Sequence, residues 1–145
     1  METQEMTMEF DSHSSNEGFA RVAVAAFAAR LDPTMEEITD IKTAVSEAVT
    51  NCIIHGYEGR SGKIRIDCKI QENELFITVT DKGCGIADIK KAMEPLYTSK
   101  PELERSGMGF AFMEAFMDEL RVSSIPSGGT IVQMSKKITK KSPEM

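Results

Sequence analysis

Met6, Met8 and Phe10 alternate with polar residues, the period of a half-buried strand. Ser14-x-x-Glu17 has the form of a capping box and predicts a helix through about Arg30, stopped by Asp32-Pro33. From Val22 to Ala29 this helix is almost all Ala, Val and Phe. It is therefore expected to be covered on most sides, by the core or by a second subunit. Thr34-x-x-Glu37 is a second capping box, and Gly56 suits a helix C-terminus, so the longest helix is predicted over about residues 35–55. Ile38, Ile41, Val45, Ala48 and Cys52 follow the spacing of its core face. Glu47 and Asn51 fall on the opposite side and His55 toward the edge, so this polar stripe must meet water or a ligand.

Strict alternation returns at Ile64, Ile66, Cys68 and Ile70, and again at Leu75, Ile77 and Val79. With the polar Gln71 to Glu74 between them, these runs read as an antiparallel hairpin. A short helix is predicted from about Asp88 to Pro95, and the polar stretch from Leu96 to Gly109 as a long functional loop. Phe110, Met113, Phe116, Met117 and Leu120 place a core-packed helix over 108–120. Strands follow near 120–124 and 130–134, around the turn at Ser127-Gly-Gly129. Residues 136–145 read as a basic, frayed tail behind one domain over 1–135. The sum is an α+β two-layer sandwich with a mixed, mainly antiparallel sheet and helices on one face.

Composition narrows the function more than the fold. The net charge of −6 over 145 residues argues against non-specific binding to DNA or to anionic membranes. Of three cysteines, Cys52 and Cys68 sit in apolar phase and read as buried free thiols. The acidic, polar N-terminus reads as lacking a signal peptide, and no apolar stretch reaches membrane-spanning length, so a cytoplasmic location is expected.

Two segments carry candidate chemistry. Asp81-x-Gly83-x-Gly85-Ile86 ends a strand with a carboxylate that can accept from the amino group of a purine, beside glycines that admit a close backbone approach. Arg105-Ser106-Gly107-Met108-Gly109 precedes a helix, where backbone N–H groups and the helix dipole favour an anion; Thr98, Ser99 and Lys100 add phosphate donors. Neither the Walker pattern nor the dinucleotide Gly-x-Gly-x-x-Gly occurs, so a nucleotide site here is of another kind. On the long helix, the neutral oxygen of Asn51 suits Mg²⁺, and Glu47, one turn earlier, can take a proton from an attacking hydroxyl. His55 fits a structural role or a nucleotide contact. With only His13 and His55 in the chain, a Ser/His/Asp hydrolase is poorly supported.

Glu47-x-x-x-Asn51-x-x-x-His55-Gly56-Tyr57, Asp81-x-Gly83-x-Gly85-Ile86, Gly107-Met108-Gly109 and Gly128-Gly129-Thr130 occur in that order. Together they resemble the four nucleotide-binding boxes of the GHKL ATPase and kinase superfamily. The stretch from Pro95 to Phe110, with Phe116-Met-Asp118 after it, is similar to the anti-sigma F factors of spore-forming bacteria, and the likeness runs from about Met6 to Met134. Ala87, Cys52 and Cys84 depart from the usual proline and small or aliphatic residues.

The resemblance implies the superfamily's ATP-binding fold, with ATP or ADP and Mg²⁺ as ligands. Asn51 would hold the metal, Glu47 would be the general base, and His55 would contact the nucleotide. Asp81 would recognise adenine in a pocket shaped by Gly83, Gly85 and Ile86, with Thr130 supporting that end. Thr98, Ser99, Lys100, Arg105, Ser106, Gly107, Met108 and Gly109 would close over the phosphates. The implied activity is a serine protein kinase that phosphorylates an anti-anti-sigma factor and, as a homodimer, holds sigma factor F inactive, with Arg21 and Glu17 toward partners. A nucleotide-gated sigma-binding module with little kinase activity, or an anti-sigma kinase of the general-stress type, remains open. A histidine kinase or gyrase-type ATPase is disfavoured by the length of the chain.

Overall fold

β2 (Lys63–Gln71) and β3 (Glu74–Asp81) form the hairpin that the alternation predicts, with Ile66 opposite Val79 and Cys68 opposite Ile77. The structure is a computed structural model that describes residues 3–86, 109–125 and 127–139. β1 (Gln4–Asp11) pairs with the outer edge of β2, and β5 (Gly129–Lys137) with β3, while β4 (Glu119–Ile125) closes the other edge. The sheet order is β1-β2-β3-β5-β4, and all four pairings are antiparallel. The expected mixed sheet is thus wholly antiparallel among the described residues.

α1 (Asn16–Ala28), α2 (Met35–Asn51) and α3 (Gly109–Phe116) supply the second layer, with α2 packed between the other two. Ile41, Val45, Ala48 and Val49 of α2 meet Ile64, Ile66, Ile77 and Val79 in one buried cluster. Each such side chain contributes roughly 1.5–3 kcal/mol through burial. None of the described helices is long and apolar enough to cross a membrane.

The Thr34–Glu37 capping box forms in full. The Ser14–Glu17 box does not: Ser15 takes the N-cap position without a side-chain cap. Its hydroxyl is instead engaged by His13 Nδ1 at 2.7 Å. α1 also buries only one side. Ala20, Val24, Phe27 and Ala28 are buried, while Phe19 and Val22 stay 60% and 58% exposed, so the core does not cover the apolar stretch on most sides. A 3₁₀ turn, Ala29–Leu31, finishes it.

Two expected boundaries move. The α-helix ends at Asn51, and Cys52–Gly56 continue as a π-helical turn closed by the Tyr57 amide on the Cys52 carbonyl at 2.9 Å. β5 runs three residues beyond Met134. Lys136 donates to the Phe116 carbonyl, Ile138 is 1% exposed, and the Ile138 amide donates to the Asn73 carbonyl. Residues 136–139 therefore belong to the folded body rather than to a frayed tail. The helix expected after Asp88, the loop from Leu96, and residues 140–145 lie outside the described residues.

Candidate functional site

Asp81 is the last residue of β3 and one of few buried acids, at 4% exposure. A buried carboxylate needs donors, and three reach it. The Gly83 amide donates to its Oδ1 at 2.9 Å. The Cys52 thiol and the backbone N–H of Thr130, its partner across the β3–β5 ladder, also donate to it. Burial pushes the Asp81 carboxyl up from its ordinary value, and these three donors pull it back. All three are donors, so the site favours a carboxylate that accepts, with capacity left for another N–H.

The backbone around Asp81 is drawn in as closely as side chains permit. A Cβ on Gly56 would lie 2.8 Å from Asp81 Oδ2, and one on Gly83 would lie 2.0 Å from the Gly56 carbonyl oxygen. These two positions admit only glycine without displacement. The approach is fastened by the Cys84 amide on the Gly56 carbonyl at 2.8 Å and by the Cys84 thiol on the His55 carbonyl at 3.0 Å. The turn continues through Gly85, at φ +76°, to Ile86, whose amide donates to the Ser124 hydroxyl. That hydroxyl donates to the Gly129 carbonyl at 3.2 Å and lies 3.5 Å from Thr130 Oγ1. On the near side, Tyr57 Oη accepts the Lys82 amide at 2.8 Å and donates to the Lys63 carbonyl.

Comparison with known proteins places this turn. Residues 12–136 match the model of the histidine kinase-like ATPase domain. Over 139 residues the chain is 63% identical to the anti-sigma F factor of Clostridium novyi (strain NT), covering 95% of this chain and 97% of that protein. The chain belongs to the anti-sigma F factor family. The RsbU and RsbW domains of Rv1364c from Mycobacterium tuberculosis share its fold with a TM-score of 0.69 at 20% identity, over 95% of this chain and 33% of that one. The Acinetobacter baumannii histidine kinase AdeS does so with a TM-score of 0.55 at 16% identity, over 94% and 70%.

Within that family fold, the structure brings Asp81, Gly83, Gly85, Ile86 and Thr130 into one turn and sets His55 beside it through its carbonyl. The π turn breaks the uniform stripe expected for Glu47, Asn51 and His55, because its wider winding changes the angular step after Asn51. Glu47 and Asn51 remain one α-helical turn apart and half-buried. Glu47 lines a hollow of about 290 Å³ between α1 and α2 with Arg21, Thr39, Lys42, Thr43 and Ser46. Arg21 also pairs with Glu17 at 3.4 Å, one helical turn away. Among the described residues no three His, Cys, Asp or Glu side chains cluster as metal ligands. Asn51 supplies only a neutral oxygen, which fits a cation whose other ligands are phosphates and water. Gly109 is the buried first residue of α3. Thr98, Ser99, Lys100, Arg105, Ser106, Gly107 and Met108 lie outside the described residues.

Three residues at the turn escape sequence reasoning. Tyr57 carries a signal, since it completes His55-Gly56-Tyr57, but not its role as a bridge between β2 and the Asp81 turn. Ser124 reads as an ordinary strand residue. Cys52 sits in core phase, and nothing in its spacing distinguishes a thiol that binds a carboxylate from one that fills space.

Proposed function

We propose that the protein is an ATP-dependent serine protein kinase that also binds and inhibits a sporulation sigma factor. The observation that carries this reading is Asp81: a buried acceptor surrounded by donors, at a glycine turn, in a chain of the anti-sigma F factor family. Asp81 accepts from the adenine amino group, in a pocket shaped by Gly83, Gly85 and Ile86, with Thr130 beneath it. His55 bounds the same pocket. Thr98, Ser99, Lys100, Arg105 and the segment Ser106 to Gly109 hold the phosphates. Asn51 is the protein ligand for Mg²⁺, which when bound neutralises charge on the phosphates.

Glu47 takes the proton from the serine hydroxyl of an anti-anti-sigma factor as its oxygen bonds to the γ-phosphorus. The bond from that phosphorus to the β–γ bridging oxygen breaks, and ADP leaves. The hollow that Glu47 shares with Arg21 and Lys42 is open to a partner's serine loop, with cations to meet acidic neighbours. The working unit is a homodimer in the cytoplasm, with Arg21 and Glu17 toward partners.

Incubation with Mg²⁺-ATP and a candidate serine-bearing partner, followed by mass spectrometry, tests the reading. One phosphorylated serine is expected on the partner. Tight ATP binding without transfer to any partner would instead favour a nucleotide-gated sigma-binding module.

A further inference from the structure

Cys52 and Asp81 are both almost fully buried, at 3% and 4% exposure, and the thiol donates to the carboxylate. Cys52 opens the π turn, and Asp81 closes β3, so this contact joins the helical layer to the sheet at the turn itself. Gly56, on the same π turn, bars the carboxylate from moving toward the backbone there, since only 2.8 Å separates its missing Cβ from Oδ2. Gly83 fixes Oδ1. A carboxylate offers about four acceptor positions. Cys52, Gly83 and Thr130 use three of them.

We propose that Cys52 is a specificity-determining positioning residue: its thiol orients Asp81 so that the remaining acceptor position takes a 6-amino purine and refuses a 6-oxo purine. The inference rests on the adenine reading of Asp81. A 6-oxo purine such as hypoxanthine or guanine presents an oxygen where adenine presents N–H donors, and an acceptor held by donors on its other sides cannot turn to receive it. Burial raises the Asp81 pKa, and the thiol is one of the donors that counter this, in keeping with an acceptor role. An alanine or valine at position 52 would fill the core and leave the carboxylate with one fewer restraint. That difference separates a positioning thiol from a packing one.

The test measures dissociation constants for ADP and for inosine diphosphate, its 6-oxo counterpart, by calorimetry on the full chain. Wild type, Cys52→Val and Cys52→Ser are compared, with melting temperatures recorded without nucleotide. Val keeps the volume without the donor, and Ser keeps a donor; Cys52→Ala replaces Val should Val be too crowded to fold. The preference of wild type for ADP is expected to fall about fivefold in Cys52→Val, the scale of one modest hydrogen bond, and to be restored in Cys52→Ser. An unchanged preference in the variant without a donor would overturn the inference alone, even where its melting temperature drops. Equal affinity of the wild type for both nucleotides would overturn the adenine reading, and this inference with it.

Discussion

Glu37 and Thr139, 102 positions apart, are joined by two hydrogen bonds: Glu37 Oε2 accepts the Thr139 amide at 2.8 Å and its hydroxyl at 3.0 Å. The other carboxylate oxygen accepts the Thr34 amide at 2.8 Å, completing the capping box of α2. One buried side chain thus anchors the start of the helix that carries Glu47 and Asn51 to the end of β5. Replacing Glu37 by Ala is expected to cost about 2 kcal/mol, combining a lost cap with unsatisfied donors at Thr139.

The same contact sets an acid dependence. Burial pushes the Glu37 carboxyl up, but hydrogen bonds from Thr34 and Thr139 outweigh it and leave the pKa below the ordinary 4.5. A carboxylate depressed in the folded state adds stability that is fully present above its unfolded pKa and is lost as pH falls through the folded one. The melting temperatures of wild type and Glu37→Ala should therefore differ near neutrality and converge below about pH 4. A gap that stays constant into acid would remove Glu37 as its source.

Gly56→Ala and Gly83→Ala separate the turn's fold from its chemistry. The methyl at 56 meets the Asp81 carboxylate, a movable side chain, so nucleotide affinity should fall about tenfold while the fold survives. The methyl at 83 meets the Gly56 backbone oxygen, and its cost should appear as about 1–3 kcal/mol of lost stability. Calorimetric affinities paired with thermal melts distinguish the two outcomes.

Glu47→Ala should abolish transfer to the partner's serine and leave ATP bound. Asn51→Asp, which adds a charge next to the phosphates, should disturb the Mg²⁺ dependence of binding and spare binding of the nucleoside alone. Single-turnover phosphorylation and Mg²⁺ titrations check both. Transfer that continues at the wild-type rate in Glu47→Ala would rule it out as the base.

Asp81→Asn replaces an acceptor-only group by one that also donates. Adenine selection should weaken by about 1–3 kcal/mol, because a buried polar group is left mismatched. Equal losses for ATP and GTP would count against adenine recognition by this residue.

The parts of the fold that were legible in the chain are those where one face is buried and the period is strict. Ile64 to Ile70 and Leu75 to Val79 alternate because their other faces are polar, and a slip of one residue would expose every isoleucine. Thr34 and Glu37 form their capping box because nothing competes for the Thr34 hydroxyl. Ser15 is claimed by His13, a contact between neighbours that a capping pattern does not register. In the candidate site, Asp81 and its glycines were legible as a motif. Cys52 and Ser124 were not, because their partners arrive from other strands and turns. The reach of β5 was hidden too: lysines at 136 and 137 look like a solvated tail until Ile138 and Glu37 are seen to hold the chain beyond them.

The π turn at Cys52–Gly56 behaves as one extra residue inserted into a helix. Deleting a single residue there, Ile53 or Ile54, would let the segment relax to an ordinary α-helix, with better backbone geometry and an almost unchanged apolar pattern. Every later residue would then rotate by about 100° about the axis. Gly56 would leave its place beneath Asp81, Cys52 would lose its line to the carboxylate, and Tyr57 could no longer reach Lys82. A shortened chain of this kind should fold as well as the parent and have no purine pocket, so the irregular turn is retained at the expense of helix regularity.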